Sequence, residues 1–401
     1  MPVRFVNRLN GLNRLNGLNR LNGLNRLNGL NRLNGLNRLN GLNRLNGLNR
    51  LNGLNVLTMS LMTDYLPRVQ SYLDSRDWRD VPVMNGRRFT VAPLAQGEYN
   101  LNYLISSETN GLKLVFRVNI GTQIGRSDQV TYEYRALKLL AESGHTPRPC
   151  FVDDTRKILD RGALVMAYLP GEPLDYKCDL AAAAGLFAAV HQVEVDPADN
   201  HLIREDAPLS LIYEECRGLL AHYFESDLAD AAIRDYLKDV MRWADSARVQ
   251  EKYFTRDPWL CIVNTEVNSG NFVVNRERGS IHLVDWEMPR WGDPSQDLCH
   301  FCSPLTTLWK TAFRMTPREK KEFIDTYSCG IGDKHLRDTL PDRIRLRDPF
   351  VYLRGISWSA MGWVAYQTEF SGMKNPDTWE TLQRYLDLAF IRSLFDPFLK
   401  D

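Results

Sequence analysis

Two neighbouring stretches constrain the fold of this chain more than any other feature: CIVNTEVNSGNFVV at residues 261–274, and IHLVDWE at 281–287. Two short apolar segments flank a polar loop carrying Glu266, Gly270 and Asn271, and a third apolar segment ends on Asp285. Apolar runs this short, bounded by Asn, Ser and Gly, read as strands separated by turns. A lone hairpin is at best marginally stable, so this unit needs a larger body to hold it. One reading makes its polar residues ordinary turn formers, since Asn, Asp and Gly occupy turns for backbone reasons. The other gathers Glu266, Asn271 and Asp285 at one end of the hairpin as oxygen donors, the chemistry that Mg2+ and phosphoryl transfer demand.

Composition narrows the body that surrounds the unit. The chain has 401 residues, 44% hydrophobic and 25% charged, which suits one large two-lobed domain or two smaller ones. Its formal charge is +1, but residues 1–63 hold nine arginines and no lysine or acid, which leaves −8 for residues 64–401. A mildly acidic body argues against nucleic acid as a partner. No stretch approaches the ~20 apolar residues that span a bilayer, so no membrane association is expected. Seven cysteines without a framework suggest a reducing, cytoplasmic setting. Cys299 and Cys302 form the one close pair, with His300 and distant Cys329 too few to complete a zinc site.

Residues 8–55 are eight copies of RLNGLN. Leucine every third residue spirals around a helix and forms no stripe, and Gly and Asn oppose helix further. Stacked β-solenoid turns are conceivable, but the expectation for residues 1–57 is a disordered low-complexity extension. Met59 and Met62 just downstream offer an alternative start.

From Arg87 the pattern turns strand-rich. RRFTVAPLAQ, a turn at Gly97-Glu98, YNLNYLIS, a turn at Asn110-Gly111 and LKLVFRVN predict a three-strand antiparallel meander. A helix follows, with Ser127 as N-cap and Gly144 closing it. Its apolar stripe contains Glu133, which either meets a cation, Arg117 being the nearest candidate, or lies at the stripe edge and reaches water. ALVMAYLPGEPL is a strand that breaks at Leu169-Pro170-Gly171. Beyond it helices are expected over 179–193, 208–224, 228–248, 317–328, 350–370 and 377–395. The fold class is therefore α+β: a small antiparallel β-rich lobe over 58–169, a hinge, and a larger, mostly helical lobe over 170–401, with a ligand cleft between them.

In this setting the opening stretch resembles the catalytic loop of the aminoglycoside phosphotransferase and choline kinase family, a branch of the protein-kinase-like fold. That loop runs His-Gly-Asp, four residues, then Asn; here it reads Asn264-Thr265-Glu266-Val267-Asn268-Ser269-Gly270-Asn271. VDWE is similar to the metal-binding strand end and GDPSQDL to the segment whose last Asp, here Asp297, supports the loop. The resemblance covers about 85–370. It implies Mg2+ and ATP as cofactors and a small-molecule hydroxyl, such as that of an amino sugar or amino alcohol, as acceptor. Glu266 stands where the family has its base, and Asn271 and Asp285 where it has metal ligands. The resemblance further implies that Gly97, Asn100, Arg117, Glu133, Met166 and Tyr168 contact the nucleotide, with adenine against the backbone of 166–168. His191 resembles a structural histidine closing the first helix of the large lobe. Two departures stand out. Arg117 replaces a lysine and keeps the cation. Asn264 and Glu266 replace His and Asp, and the longer carboxylate leaves two outcomes: a tuned kinase, or a catalytically weak pseudokinase serving as a nucleotide-binding or scaffold module. Trp286, Trp291, Trp358 and Trp363 suit either an aromatic wall for a cation or core packing. Glu214 and Glu215 are candidate acids for an amino-sugar pocket.

Overall fold

The computed structural model describes residues 54–400 apart from 98, 123, 199 and 369–375, so the expectation of a disordered extension over 1–57 lies outside the described residues up to 53, while 54–57 open a helix instead. A helix, α1 (Leu54–Ser75), precedes β1 (Phe89–Gln96), β2 (Asn100–Ser107) and β3 (Lys113–Asn119). Then come α2 (Gln129–Leu140), β4 (Pro149–Asp153) and β5 (Ala163–Ala167). The five strands form one antiparallel sheet in the order β1-β2-β3-β5-β4. The meander is where the alternation placed it, whereas α1 and β4 had no sequence reading.

The alternation of β3 decides what each face of the sheet does. Leu114, Phe116 and Val118 pack with Tyr65, Val69 and Tyr72 of α1. Val115 packs instead with Val130, Ala136 and Leu137 of α2. Arg117, two residues after Val115, therefore points to the α2 side. The N-cap of α2 is Asp128 rather than Ser127, and its carboxylate binds Arg126 instead of capping the helix. Gly144 does take the left-handed conformation after the last turn, at φ +70°.

The rest of the chain is mostly helical: α3 (Leu180–His191), α4 (Pro208–Phe224), α5 (Ala231–Ala247) and the short α6 (Lys252–Arg256). The strand β6 (Ile203–Arg204) precedes α4, and β7 (Cys261–Val263) leads into the polar loop. Next come the hairpin β8 (Phe272–Asn275) and β9 (Ser280–Leu283), then β10 (Arg290–Gly292). After it run α7 (Ser295–Cys302), α8 (Pro304–Lys310), α9 (Pro317–Gly330) and α10 (Lys334–Thr368). The chain ends in α11 (Pro376–Tyr385) and α12 (Leu388–Leu399). The helix expected over 350–370 begins at Lys334, because Pro341 and Pro349 are accommodated within α10 rather than ending it. The one helix expected over 377–395 is two, broken before Asp387, which caps α12 through the Phe390 N–H.

The predicted hinge docks directly on the hairpin. Glu172 and Val274 exchange backbone hydrogen bonds of 2.9 and 2.8 Å. Gly171 makes this approach possible, since a Cβ there would lie 2.7 Å from the Val274 carbonyl oxygen. The small sheet, the hinge and the β8–β9 hairpin thus meet beside the polar loop. This is the two-lobed α+β arrangement that the strand and helix patterns predicted.

Candidate active site

On the α2 face of the sheet, the Arg117 guanidinium meets three partners. Its Nη1 donates to Glu133 Oε1 and lies 3.5 Å from Asp285 Oδ1, and its Nε donates to Asn102 Oδ1 at 2.9 Å. Asn102 is the cross-strand neighbour of Arg117. Glu133 is 2% exposed and Arg117 6%, so Glu133 is a buried partner of the arginine and not a residue at the stripe edge. Removing either charge from such a pair is costly.

The polar loop is held from below by Asp297 at the start of α7, a fully buried carboxylate. Asp297 accepts the backbone N–H of Asn264 at 2.7 Å and of Thr265 at 2.8 Å, and its Oδ2 lies 3.4 Å from His191 Nε2. His191 also contacts the Tyr327 hydroxyl at 3.0 Å, which completes a buried structural network. Thr265 sits at φ +71°, a strained conformation for a β-branched residue. Three contacts fix it there: Asp297 on its N–H, Met288 O on its hydroxyl at 3.2 Å, and His300 Nδ1 on its carbonyl at 3.0 Å.

The loop is stitched to the end of β9. Asn264 Nδ2 donates to the Asp285 carbonyl at 3.1 Å, and its Oδ1 accepts the Glu266 N–H at 3.0 Å. Asn271 Nδ2 donates to the Glu266 carbonyl at 2.7 Å, and the Asn271 carbonyl accepts the Val284 N–H at 2.8 Å. With its amide nitrogen engaged, Asn271 offers Oδ1 as a ligand atom. Asp285 itself adopts φ +68°. The carboxylates of Glu266, Asp285 and Glu287 each offer an oxygen within 4.8 Å of the other two. Opposite ligands of an Mg2+ ion at 2.0–2.1 Å stand about 4.2 Å apart, so these hard oxygen donors fit one such ion after small side-chain shifts.

The two parts of the molecule are joined at Glu287. Asn100 Nδ2 donates to Glu287 Oε2 at 2.5 Å, and Gln129 Nε2 donates to the Glu287 carbonyl at 2.5 Å. Of the residues read from the sequence, Asn100, Arg117, Glu133, Glu266, Asn271 and Asp285 thus belong to one connected cluster. Gly97, Met166 and Tyr168 do not join it among the described residues. Gly97 closes the β1–β2 turn through the Asn100 carbonyl at 2.8 Å, Met166 is buried in β5, and Tyr168 lies 6.0 Å beneath Lys113 Nζ. The Ala167 N–H is spent on the Arg148 carbonyl at 2.9 Å, so it is not free for a base.

Asn102, Gln129, His300 and Arg354 were missed from the sequence. Asn102 was detectable in principle from the meander register, and His300 from its position one helical turn after Asp297. Arg354, on α10, donates from Nε to Glu215 Oε2 at 3.0 Å. Its pKa is raised by the Glu215 charge first, and Glu266 adds to this. Glu214 is likewise paired, with Arg217 at 2.6 Å. These acids therefore form no unbalanced anionic pocket. Trp286 is wholly buried and donates to the Leu283 carbonyl at 2.8 Å, which makes it core. Cys299 and Cys302 are buried free thiols.

Residues 90–329 match the model of the phosphotransferase enzyme family. No curated protein sequence matches the chain. In fold it is similar to an ethanolamine kinase from Plasmodium vivax, at 14% identity over 87% of this chain and 98% of that one, with a TM-score of 0.54. It is also similar to a putative aminoglycoside phosphotransferase from Ralstonia eutropha, at 12% identity over 83% and 98% of the two chains, TM-score 0.55. A spectinomycin phosphotransferase in complex with ADP and spectinomycin is similar at 14% identity over 78% and 92%, TM-score 0.51. Among the described residues, no helix is long and apolar enough to cross a membrane.

Proposed function

The chain belongs to the phosphotransferase enzyme family, and on that premise we propose that it transfers the γ-phosphate of ATP to a hydroxyl of a small molecule, an amino sugar, amino alcohol or similar compound. Residues 58–169 serve as the nucleotide lobe and 170–401 as the lobe carrying the loop, the metal ligands and the acceptor pocket. The observation that carries the reading is the connected cluster in which Arg117 lies against both Glu133 and Asp285 while Glu266 and Glu287 approach Asp285.

Asn271 Oδ1 and Asp285 are the metal ligands in this reading, with Glu287 beside them. A divalent ion bound by these residues would supply positive charge against the nucleotide phosphates. Arg117 adds a fixed cation at the phosphates, kept in place by Glu133 and Asn102. Glu266 orients the acceptor hydroxyl, and Asn264 and Asp297 hold the loop that presents it. Positioning and electrostatics supply most of the rate in phosphoryl transfer, so a one-methylene change in the carboxylate is tolerable when the loop backbone is fixed.

The test is Mg2+-dependent formation of ADP with a panel of amino sugars, amino alcohols and sugars, compared with Asp285→Ala. Product above the Asp285→Ala background supports the reading. Normal ADP binding with no product across the panel favours the scaffold alternative.

A further inference from the structure

Two asparagines of β2, Asn100 and Asn102, alternate onto one face of the sheet, and each holds one side of the metal cluster. Asn102 steadies Arg117. Asn100 reaches across to the larger lobe, where its Nδ2 donates to Glu287 Oε2 at 2.5 Å. Both partners are buried, at 2% exposure each.

The neighbours of Asn100 fix which way its amide faces. Asn119 Nδ2 lies 2.7 Å from the Gly121 carbonyl and 3.3 Å from the Tyr99 carbonyl, and carbonyl oxygens only accept. Asn119 Nδ2 is therefore a donor, and Asn100 Oδ1, 3.1 Å away, accepts from it. That aims the Asn100 NH2 at the carboxylate before any ion arrives. Glu287 itself stands on backbone held from both lobes. Gln129 donates to its carbonyl at 2.5 Å, Tyr132 to the Pro289 carbonyl at 2.6 Å, and Thr265 to the Met288 carbonyl at 3.2 Å. With the main chain fixed, the Asn100 bond orients the carboxylate.

An ionised carboxylate accepts at both oxygens, so Glu287 can keep Asn100 while it faces an ion. Groups that orient a ligating side chain in this way typically carry about 10–100-fold in metal affinity. Asn100 also closes the β1–β2 turn, since its carbonyl accepts the Gly97 N–H at 2.8 Å. One residue thus ties a turn of the small lobe to a carboxylate whose oxygen lies within 4.8 Å of those of Glu266 and Asp285.

We propose that Asn100 is a positioning residue for the divalent ion, and that through Glu287 it couples filling of the metal site to the β1–β2 turn. The inference rests on the phosphotransferase reading and adds to it a route by which the ion orders the nucleotide lobe. The Asn100 amide serves Glu287, not the nucleotide contact that the sequence resemblance implied.

Mn2+ titrated into the full chain without nucleotide, with the free ion counted from its electron paramagnetic resonance signal, tests the coupling. Asn100→Ala should weaken Mn2+ binding about 10-fold, and Asn100→Ser, too short to reach Glu287, should do the same. Glu287→Ala should weaken it as well. Adding Asn100→Ala to Glu287→Ala should then cost under about 2-fold more, because the bond through which Asn100 acts is already gone. A merely structural Asn100 would cost the same in both backgrounds. Independently, in hydrogen exchange, Mg2+ should slow the Gly97 amide several-fold in the wild type but not in Glu287→Ala, a readout that stands even where Asn100→Ala fails to fold. Wild-type Mn2+ affinity in a folded Asn100→Ala, an equal loss in both backgrounds, or Gly97 exchange indifferent to Mg2+ in the wild type overturns the proposal and leaves the phosphotransferase reading standing. If the wild type binds Mn2+ no better than Asp285→Ala, the metal site itself is refuted, and this inference falls with it.

Discussion

Replacing Arg117 separates a structural guanidinium from an ornamental one. The side chains of Arg117, Glu133 and Asp285 are 7, 3 and 5% exposed, so little solvent screens them. Arg117→Met takes the cation away from two buried carboxylates, a loss that costs about 3–5 kcal/mol when one partner of a buried pair is removed. That is a large part of the 5–15 kcal/mol typical of a folded domain. Arg117→Lys keeps the charge and gives up chiefly the Nε bond to Asn102, about 1–2 kcal/mol. At roughly 2 °C per kcal/mol for a chain of this size, Arg117→Met should melt about 6–10 °C lower and Arg117→Lys about 2–4 °C lower. Adding Glu133→Gln to Arg117→Met should recover part of the loss, because one buried charge disappears. Thermal unfolding followed by circular dichroism, with and without Mg-ADP, reads all three. If Arg117→Met and Arg117→Lys melt within 1 °C of each other, the buried-cation argument is wrong.

Asp297→Asn turns an amide NH2 toward one of the two loop N–H donors; it should cost about 3 kcal/mol in urea unfolding and at least 10-fold in ADP formation. Thr265→Gly relieves left-handed strain of about 1–3 kcal/mol while losing the hydroxyl bond to Met288, whereas Thr265→Val loses the bond and keeps the strain. The glycine variant should therefore be the more stable of the two in the same assay, and the opposite order refutes the strain. The folded-state pKa of His300 lies at about 4, below the ordinary value near 6.5, so the unfolded chain takes up that proton first as pH falls. Its contribution is complete above pH 6.5 and declines toward pH 4 by up to about 3 kcal/mol. Urea midpoints across that range should fall less steeply in His300→Gln.

The parts of this molecule that the sequence revealed are those in which local periodicity and tertiary role agree. The meander follows the two-residue alternation of β1–β3, and α4 matches its predicted span because its apolar spacing and Pro208 both mark it. A charge inside an apolar stripe made Arg117 a candidate partner for Glu133, with a position at the stripe edge as the alternative, and the buried pair decides between them. What escaped lacked a local signal. The strand β4 begins at a proline and is paired only through β5. In α10, two prolines that normally mark an end lie inside the helix, Pro349 buried and Pro341 exposed. His300 looked like half of an incomplete zinc motif, and only its contact with the Thr265 carbonyl gives it another meaning. The Glu215–Arg354 pair joins residues far apart in the chain, which no reading of charge alone could have matched.

The central claim is that Asn271 and Asp285, with Glu266 and Glu287 beside them, surround one divalent ion at the nucleotide phosphates. Anomalous diffraction from crystals grown with Mn2+ and ADP tests it most directly. The account predicts a single manganese peak in contact with Asp285 and Asn271 Oδ1, with the ADP phosphates on the Arg117 side. A peak away from these residues, or ADP bound elsewhere, contradicts it.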